Sequence, residues 1–472
     1  MKKLLLSAWI TLASVLQLQA NNVQVSNVSL SDPNAVQQTS LINYNISWEN
    51  SWRTSTNEKN YDGVWLFVKY KKANTSDWRH ATLSSTGFTA PTGSTIQVGS
   101  DGKGAWMYRS ADGQGDVNWT GAQLKWNYSV DGLTPEDSVE IKLFAIEMVY
   151  IPSGPFYLGC GGTSVNQFQK GNVSPSTPYL VNSNNEIIIE NTTGNLYFNT
   201  APNSTNGDHT GILSANFPKG YNAFWLMKYE ASNQQMIDFY NHVTSAAATN
   251  LGIASMIPTG AHPNYQTDKP FKAFTTSWRA LTAYADWTGM RPYSELEYEK
   301  ACRGVNNFSV PNEYAWGNTN YVSVNSTINA NAEDEKVNLP ANANCYIVGS
   351  SNIGSLSLRN GIFATTTSDR YAAGAGYYGN MEMSGNVNEC VVHISNPAGR
   401  AFTGVNGDGY LSATGEANVP TWPTNTFGQK SRGGSYTSQA NSARVSDRSS
   451  ALSDNESAFL YIYGIRLARN AE

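Results

Sequence analysis

Between Val23 and about Ile146 the sequence alternates with a period of two, and this rhythm restricts the possible folds more than any other feature. In LINYNISWE, Ile42, Tyr44, Ile46 and Trp48 fall on one face, and in GVWLFVKYK, Val64, Leu66, Val68 and Tyr70 do the same. QLKWNYSV repeats the pattern through Leu124, Trp126, Tyr128 and Val130, and VEIKLFA through Val139, Ile141, Leu143 and Ala145, with Gly, Asp and Pro turns between them. A pleated strand sends alternate side chains to opposite faces. Residues 21–146 are therefore expected to form an antiparallel β-sandwich, immunoglobulin-like in architecture, although the cysteine pair that crosses antibody sandwiches is missing. Trp48, Trp52 and Trp65 could form a ligand platform or pack in the core, and core packing is the expectation.

The first twenty residues read as a secretory signal: Lys2 and Lys3, an apolar run from Leu4 to Leu16, then QLQA with cleavage after Ala20. A lipid anchor needs a cysteine directly after the cut, and the first cysteine is Cys160, so an anchor is not expected; no later apolar stretch reaches the ~18 residues that span a bilayer. The expectation is an exported protein, periplasmic, cell-surface or secreted. Charged residues make up 14% of the chain and leave a net charge of −5 without a basic cluster, which argues against a nucleic-acid partner. Cys160, Cys302, Cys345 and Cys390 show no CxxC spacing, so neither a zinc site nor a redox pair is signalled. Disulfides remain open for an exported chain, but Cys302 in EYEKACRG and Cys390 in NECVV stand where a small apolar residue would serve, which favours buried thiols. His80, His209, His242, His262 and His393 form no HExxH or HxH pattern and are expected to be structural.

From residue 147 the texture changes to short strands, helices and long Gly/Asn loops. SNQQMIDFYNHV places Met236, Phe239, Tyr240 and Val243 at helical spacing behind a Ser232 cap. TSWRALTAYADWTGM has Ser277 before Leu281, Tyr284 and Ala285, with Gly289 as the stop. YSELEYEKACRG carries a capping box, Ser294 with Glu297, and ends at Gly304.

Several separated blocks of this region resemble the formylglycine-generating enzyme, or sulfatase-modifying factor, domain in order: MVYIPSGPFYLG (148–159), FWLMKYEASNQQMIDF (224–239), TSWRALTAYADWTGMRPYSELEYEKACRG (276–304), YAWGN (314–318), MEMSGNVNE (381–389), RGGSY (432–436) and YGIR (463–466). The resemblance implies that residues 147–472 adopt a C-type-lectin-like mixture of short strands, helices and irregular loop. The sandwich and this domain together also resemble a group of exported Bacteroidetes proteins. In the family the MEMSGNVNEC loop binds calcium, which takes 6–8 oxygen ligands at about 2.3–2.6 Å. Carried over, the ligands are the Glu382 and Glu389 side chains and the Gly385 and Val387 carbonyls; family members usually have Asp or Asn at Glu382. A second set implied by the family is Asn344 and Asn360 with nearby carbonyls.

Catalytic members use two cysteines just after the GGS block to hold Cu(I) as thiolates, and soft ligands are what that ion requires. Here those positions are Ser438 and Ala443, the tryptophan beside the oxygen pocket is Asn388, and the block's serine is retained as Ser435. Copper-dependent oxidation is therefore not expected, and no catalytic residue is assigned. The old catalytic surface is expected to be a ligand-binding face of Tyr436, Thr437, Ser438, Gln439, Asn441, Ser442, Tyr461 and Tyr463, a mixture like that of antibody paratopes. Arg432, Arg444, Arg448 and Arg466 read as internal hydrogen-bond anchors. The leading expectation is a calcium-braced, non-catalytic recognition protein for a protein or glycan ligand. The alternatives are an oxidoreductase of the formylglycine-generating or ergothioneine-type family with altered metal chemistry, and a structural subunit of a secretion or gliding-type assembly.

Overall fold

The computed structural model describes residues 23–472 apart from 174–175, 199–206, 257, 306, 350–351, 354–355, 366, 425–427 and 450–462. The expected signal segment and Tyr461 lie outside the described residues. The first eight strands are β1 (Gln24–Asn34), β2 (Thr39–Arg53), β3 (Asp62–Lys72), β4 (Trp78–His80), β5 (Ser94–Val98), β6 (Ala105–Arg109), β7 (Gly113–Asn127) and β8 (Val139–Ile151). A three-stranded sheet in the order β1-β2-β7 faces a larger sheet in which β8, β3, β6 and β5 are neighbours and β4 joins β3 at the side. Between them lie the alternating residues read from the sequence: Ile42, Tyr44, Ile46 and Trp48 from β2, Val64, Leu66, Val68 and Tyr70 from β3, and Leu143 and Ala145 from β8. Val130 departs from the pattern and is 63% exposed. β7 ends at Asn127, and the bonds from Gly132 N to Ser129 O and from Leu133 N to Tyr128 O turn the chain there.

The larger sheet differs from one half of an immunoglobulin-like module. Past β8 it continues through Phe224–Met227 to Ala468–Asn470, strands from the middle and the far end of the chain. β8 runs unbroken through residues 146–147 and pairs with β3 along one edge and with Phe224–Met227 along the other. The reason lies in the residues between the alternating ones. Trp65 and Phe67 of β3, with Phe144, Ile146 and Met148 of β8, are also buried, on the opposite face, so solvent covers neither side of these strands. That second face packs on α1 (Asn233–Asn241) and α3 (Trp278–Trp287): the Trp287 ring meets Phe67 at 5.2 Å, Phe144 at 5.0 Å and Phe239 at 5.3 Å. Between α1 and α3 lies α2 (Ser245–Asn250), capped by Thr244. Trp48 and Trp65 are core residues, as expected.

The helices start where their caps predict. Ser232 and Ser294 each form a reciprocal capping box, with Gln235 and Glu297, and Ser277 accepts from Ala280 N. The helix α4 (Glu295–Arg303) is buried along its whole length despite carrying three glutamates, a lysine and an arginine. Glu295 and Glu299, one turn apart, share a face. Glu295 accepts from Arg448 at 2.8 and 3.0 Å and from Arg432 at 3.0 Å. Glu299 accepts from Arg432 at 2.5 Å and from Arg303, which also binds Glu313. Glu297, on the other side, accepts from Arg291 at 2.7 and 2.9 Å while closing the capping box. The Arg448 guanidinium also lies 4.2 Å from the rings of both Phe168 and Phe198.

Burial opposes ionisation of Glu295, but Arg448 and Arg432 outweigh it and hold its carboxyl down at about 2. A carboxylate depressed below its unfolded value near ~4.3 contributes stability that is complete above that value and is lost as pH falls toward 2. Acid titration followed by circular dichroism should show unfolding across this window. Glu295→Gln should lose ~3–5 kcal/mol in urea denaturation at neutral pH, because the buried Arg448 guanidinium loses its counter-charge and Arg432 is left with Glu299 alone.

Candidate functional site

The loop Asn380–Glu389 is shaped by left-handed backbone at Glu382 (φ 57°), Gly385 (φ 103°) and Asn386 (φ 58°). A Cβ on Gly385 would lie 2.8 Å from Tyr346 O, so this turn requires glycine. The loop leads into a buried strand, Asn388–Val392, which pairs with Gln429–Arg432 on one side and Tyr463–Gly464 on the other. Cross-links tie it to the C-terminal ribbon. Gly385 N donates to Gly433 O and Tyr436 N donates to Asn386 O, each at 2.9 Å, and Ser384 Oγ donates to Ala443 O at 2.7 Å.

Three glutamates converge below the loop. Glu230, just ahead of α1, accepts from Asn386 Nδ2 at 2.5 Å and from Val387 N at 3.2 Å. Glu389 is fully engaged: Oε1 receives Arg466 Nε at 2.7 Å and Oε2 receives the Tyr293 hydroxyl. Arg466 also donates to Met227 O at 2.8 Å and Met381 O at 2.6 Å. Glu382 is different: Oε1 accepts from Gly361 N at 2.8 Å, but Oε2 is buried without a hydrogen-bond partner. Burial pushes the Glu382 carboxyl up to about 7, with Glu389 adding to the rise and Arg466 opposing it. Burial likewise raises Glu230 well above the usual range, against Arg466 and with Glu382 and Glu389. Asn360, the neighbour of Gly361, donates Nδ2 to Glu230 O at 2.6 Å and leaves its buried Oδ1 without a partner.

The residues expected as cation ligands therefore divide. Glu382 and Asn360 each offer a free buried oxygen, and Gly361 links them. Glu389 is committed to Arg466 and Tyr293, and Asn344 is committed twice, accepting from Val322 N at 2.9 Å and donating to Tyr371 O at 3.0 Å. Among the described residues no group of three His, Cys, Asp or Glu side chains is arranged to hold a metal ion. Any cation here would rest on a mixed set of one carboxylate, one amide oxygen and main-chain carbonyls.

A family model, that of the Sulfatase-modifying factor enzyme 1-like domain, matches residues 142–471. The chain belongs to this family. A search of curated proteins found no match. The family domain begins inside β8, so its first strand lies in the sheet shared with the N-terminal sandwich.

At Ser438 and Ala443, the positions expected to match the family's thiolates, the surroundings are specific. Ser438 Oγ accepts from Ser435 N at 2.9 Å, and the Ser435 hydroxyl lies 3.0 Å from Thr437 Oγ1 and 3.2 Å from Ser438 Oγ. Ala443 is fully buried among Tyr314, Trp316, Cys345 and Ile347, with Tyr314 and Trp316 stacked at 5.1 Å. Asn388 is buried in its strand. Thr437, Gln439 and Asn441 are exposed, while Ser438, Ser442 and Tyr463 are half-buried. Tyr436 is a correction to the expected ligand face: it is 3% exposed and stacks on Tyr346 at 5.5 Å, because Asn386 O takes its backbone N–H and turns the ring inward.

Arg432, Arg448 and Arg466 are internal anchors, as expected, and Arg444 is half-buried beside Tyr314. All four cysteines are free and buried. Burial raises Cys302 and Cys345 far above the ordinary thiol range and Cys390 to about 12. His80, His209 and His393 are buried too, and His242 is half-buried; desolvation of its ring lowers His242 to about 4. No helix of the described residues is long and apolar enough to cross a membrane. Sequence reasoning missed Glu230, whose signal was an acid closing the apolar run FWLMKYE.

The two loop glutamates should respond oppositely to neutralisation in a chelator-containing buffer. Glu389→Gln should cost ~3–5 kcal/mol by leaving Arg466 uncompensated, whereas Glu382→Gln should be neutral or stabilising because it removes an unpaired buried charge. Urea denaturation of the two variants measures the contrast.

Proposed function

We propose that this chain is an exported, non-catalytic recognition protein that uses a cation-braced sulfatase-modifying-factor scaffold to bind a protein or glycan at the cell surface. The reading is carried by the residues at the two thiolate positions. Cu(I) needs soft ligands, and a serine hydroxyl bonded to Ser435 together with a buried methyl group supplies neither. Cys345 packs beside Ala443 but is a single thiol that burial keeps protonated. What the ribbon does offer to solvent is hydroxyl and amide groups at Thr437, Gln439 and Asn441 on a tightly cross-linked base, and adaptable polar groups on a rigid support favour binding.

The brace is a hard cation, calcium by preference, held by Glu382 and Asn360 side-chain oxygens with the Gly385 and Val387 carbonyls and water. The two partnerless buried oxygens support this assignment, since a divalent ion would satisfy both and neutralise an acid-rich pocket.

Two measurements test the reading. Calcium should raise the melting temperature of the chelator-treated protein, and Glu382→Gln should abolish that shift; an unchanged response to calcium in this variant overturns the brace. Glycan and peptide arrays should identify a ligand whose affinity falls about tenfold or more in a Thr437→Ala/Gln439→Ala/Asn441→Ala triple variant. Stoichiometric copper in the purified protein together with oxidation of a cysteine peptide would replace this reading with the enzymatic one.

A further inference from the structure

The loop that holds Glu382 is gripped at its start by residues outside the family domain. Asn60, 3% exposed in the segment between β2 and β3, donates Nδ2 to Tyr378 O at 2.7 Å. The Trp52 indole lies so close to Gly379 that a Cβ there would sit 2.8 Å from its ring, and Gly379 has the left-handed φ of +87°. Two residues on, Met381 N donates to Lys228 O at 2.8 Å. The Lys228 ammonium sits 4.8 Å from the Trp52 ring and between two buried acids, Asp62 of β3 at 3.5 Å and Glu147 of β8. Asp62 in turn accepts from Trp52 N at 3.0 Å, Ser51 Oγ at 2.8 Å and Trp48 Nε1 at 3.0 Å. Residues 378, 379 and 381 are thus held in succession by the sandwich, directly or through Lys228, immediately before the left-handed turn at Glu382.

We infer that the N-terminal sandwich is a positioning device for the loop 378–389: Trp52 and Asn60 set the backbone from which Glu382 projects, so the family domain of this chain borrows part of its loop support from residues ahead of residue 142. Three features agree with this role. Gly379 has no side chain where the indole sits, Asn60 spends its amide on a carbonyl of the other region, and Lys228 joins the two regions through one buried charge cluster. A module linked only by a tether would leave these groups to water. The sandwich then becomes a lever: anything that pulls β2 and β3 away from the loop releases Glu382. That consequence rests on the cation reading above; the clamp itself does not.

Hydrogen exchange on the full mature chain separates the two. Asn60→Ala and Trp52→Phe should speed exchange in peptides covering 376–389 by about tenfold, with 278–287 in α3 unchanged as the internal reference. Trp126→Phe, a comparable loss in the sandwich core at the Asp131 side, should leave 376–389 as protected as in the parent protein. Unaltered exchange in 376–389 for Asn60→Ala and Trp52→Phe, or an equal rise in 278–287 or in Trp126→Phe, overturns the clamp. Calcium titration by thermal shift is run on the same proteins. A weakened midpoint in Asn60→Ala supports the lever, while faster loop exchange with no calcium response in any variant keeps the clamp and removes the cation reading.

Discussion

The pairing of Glu295 with Arg432 and Arg448 is the contact on which the C-terminal region depends. Much of that region is irregular loop, and loops cannot satisfy their own backbone groups when buried. Arginine solves this because its planar fork can bind a carboxylate and a carbonyl at once. Arg432 holds Glu295, Glu299 and Val445 O; Arg448 holds Glu295 and Asn166 O; Arg466 holds Glu389, Met227 O and Met381 O. α4 supplies most of the matching acids, and so segments hundreds of residues apart converge on nine residues of helix. A buried ion pair adds little net stability over apolar packing, but removing one partner is costly. Such a lattice therefore selects one arrangement of loops rather than deepening the energy minimum.

That completeness gives the exception its meaning. Glu389 and the α4 carboxylates have found guanidinium or hydroxyl partners, whereas Glu382 and Asn360 each keep a bare oxygen in the same interior. A chain that satisfies its other loop glutamate so thoroughly leaves these two buried oxygens without a hydrogen-bond partner. The ribbon above them is the reverse case. Ser435, Thr437 and Ser438 satisfy one another through their hydroxyls.

How far each feature could be read in the sequence follows from the distance over which its cause acts. Capping at Ser232, Ser277 and Ser294 was legible because a cap is completed within three residues. The family itself was legible from the order of the blocks from MVYIPSGPFYLG to YGIR, since motif register is linear. Tyr436 was misplaced because a tyrosine in a polar ribbon looks exposed until Tyr346, ninety residues earlier, is brought against it. The commitment of Glu389 was hidden for the same reason, since Tyr293 and Arg466 lie far from it along the chain. An alternating strand says which residues share a face but not whether the opposite face meets water, so the second burial of β3 and β8 went unseen.

By itself the sequence determined the strands of the sandwich, the starts of the helices and the family, because each is a matter of residue type at short or fixed spacing. Only the tertiary structure decided that one sheet runs through both regions, which loop acid stays unpaired and which tyrosine turns inward. Those outcomes depend on who is adjacent once the chain has closed on itself, and buried charge and aromatic surface take their character from their neighbours rather than from their place in line.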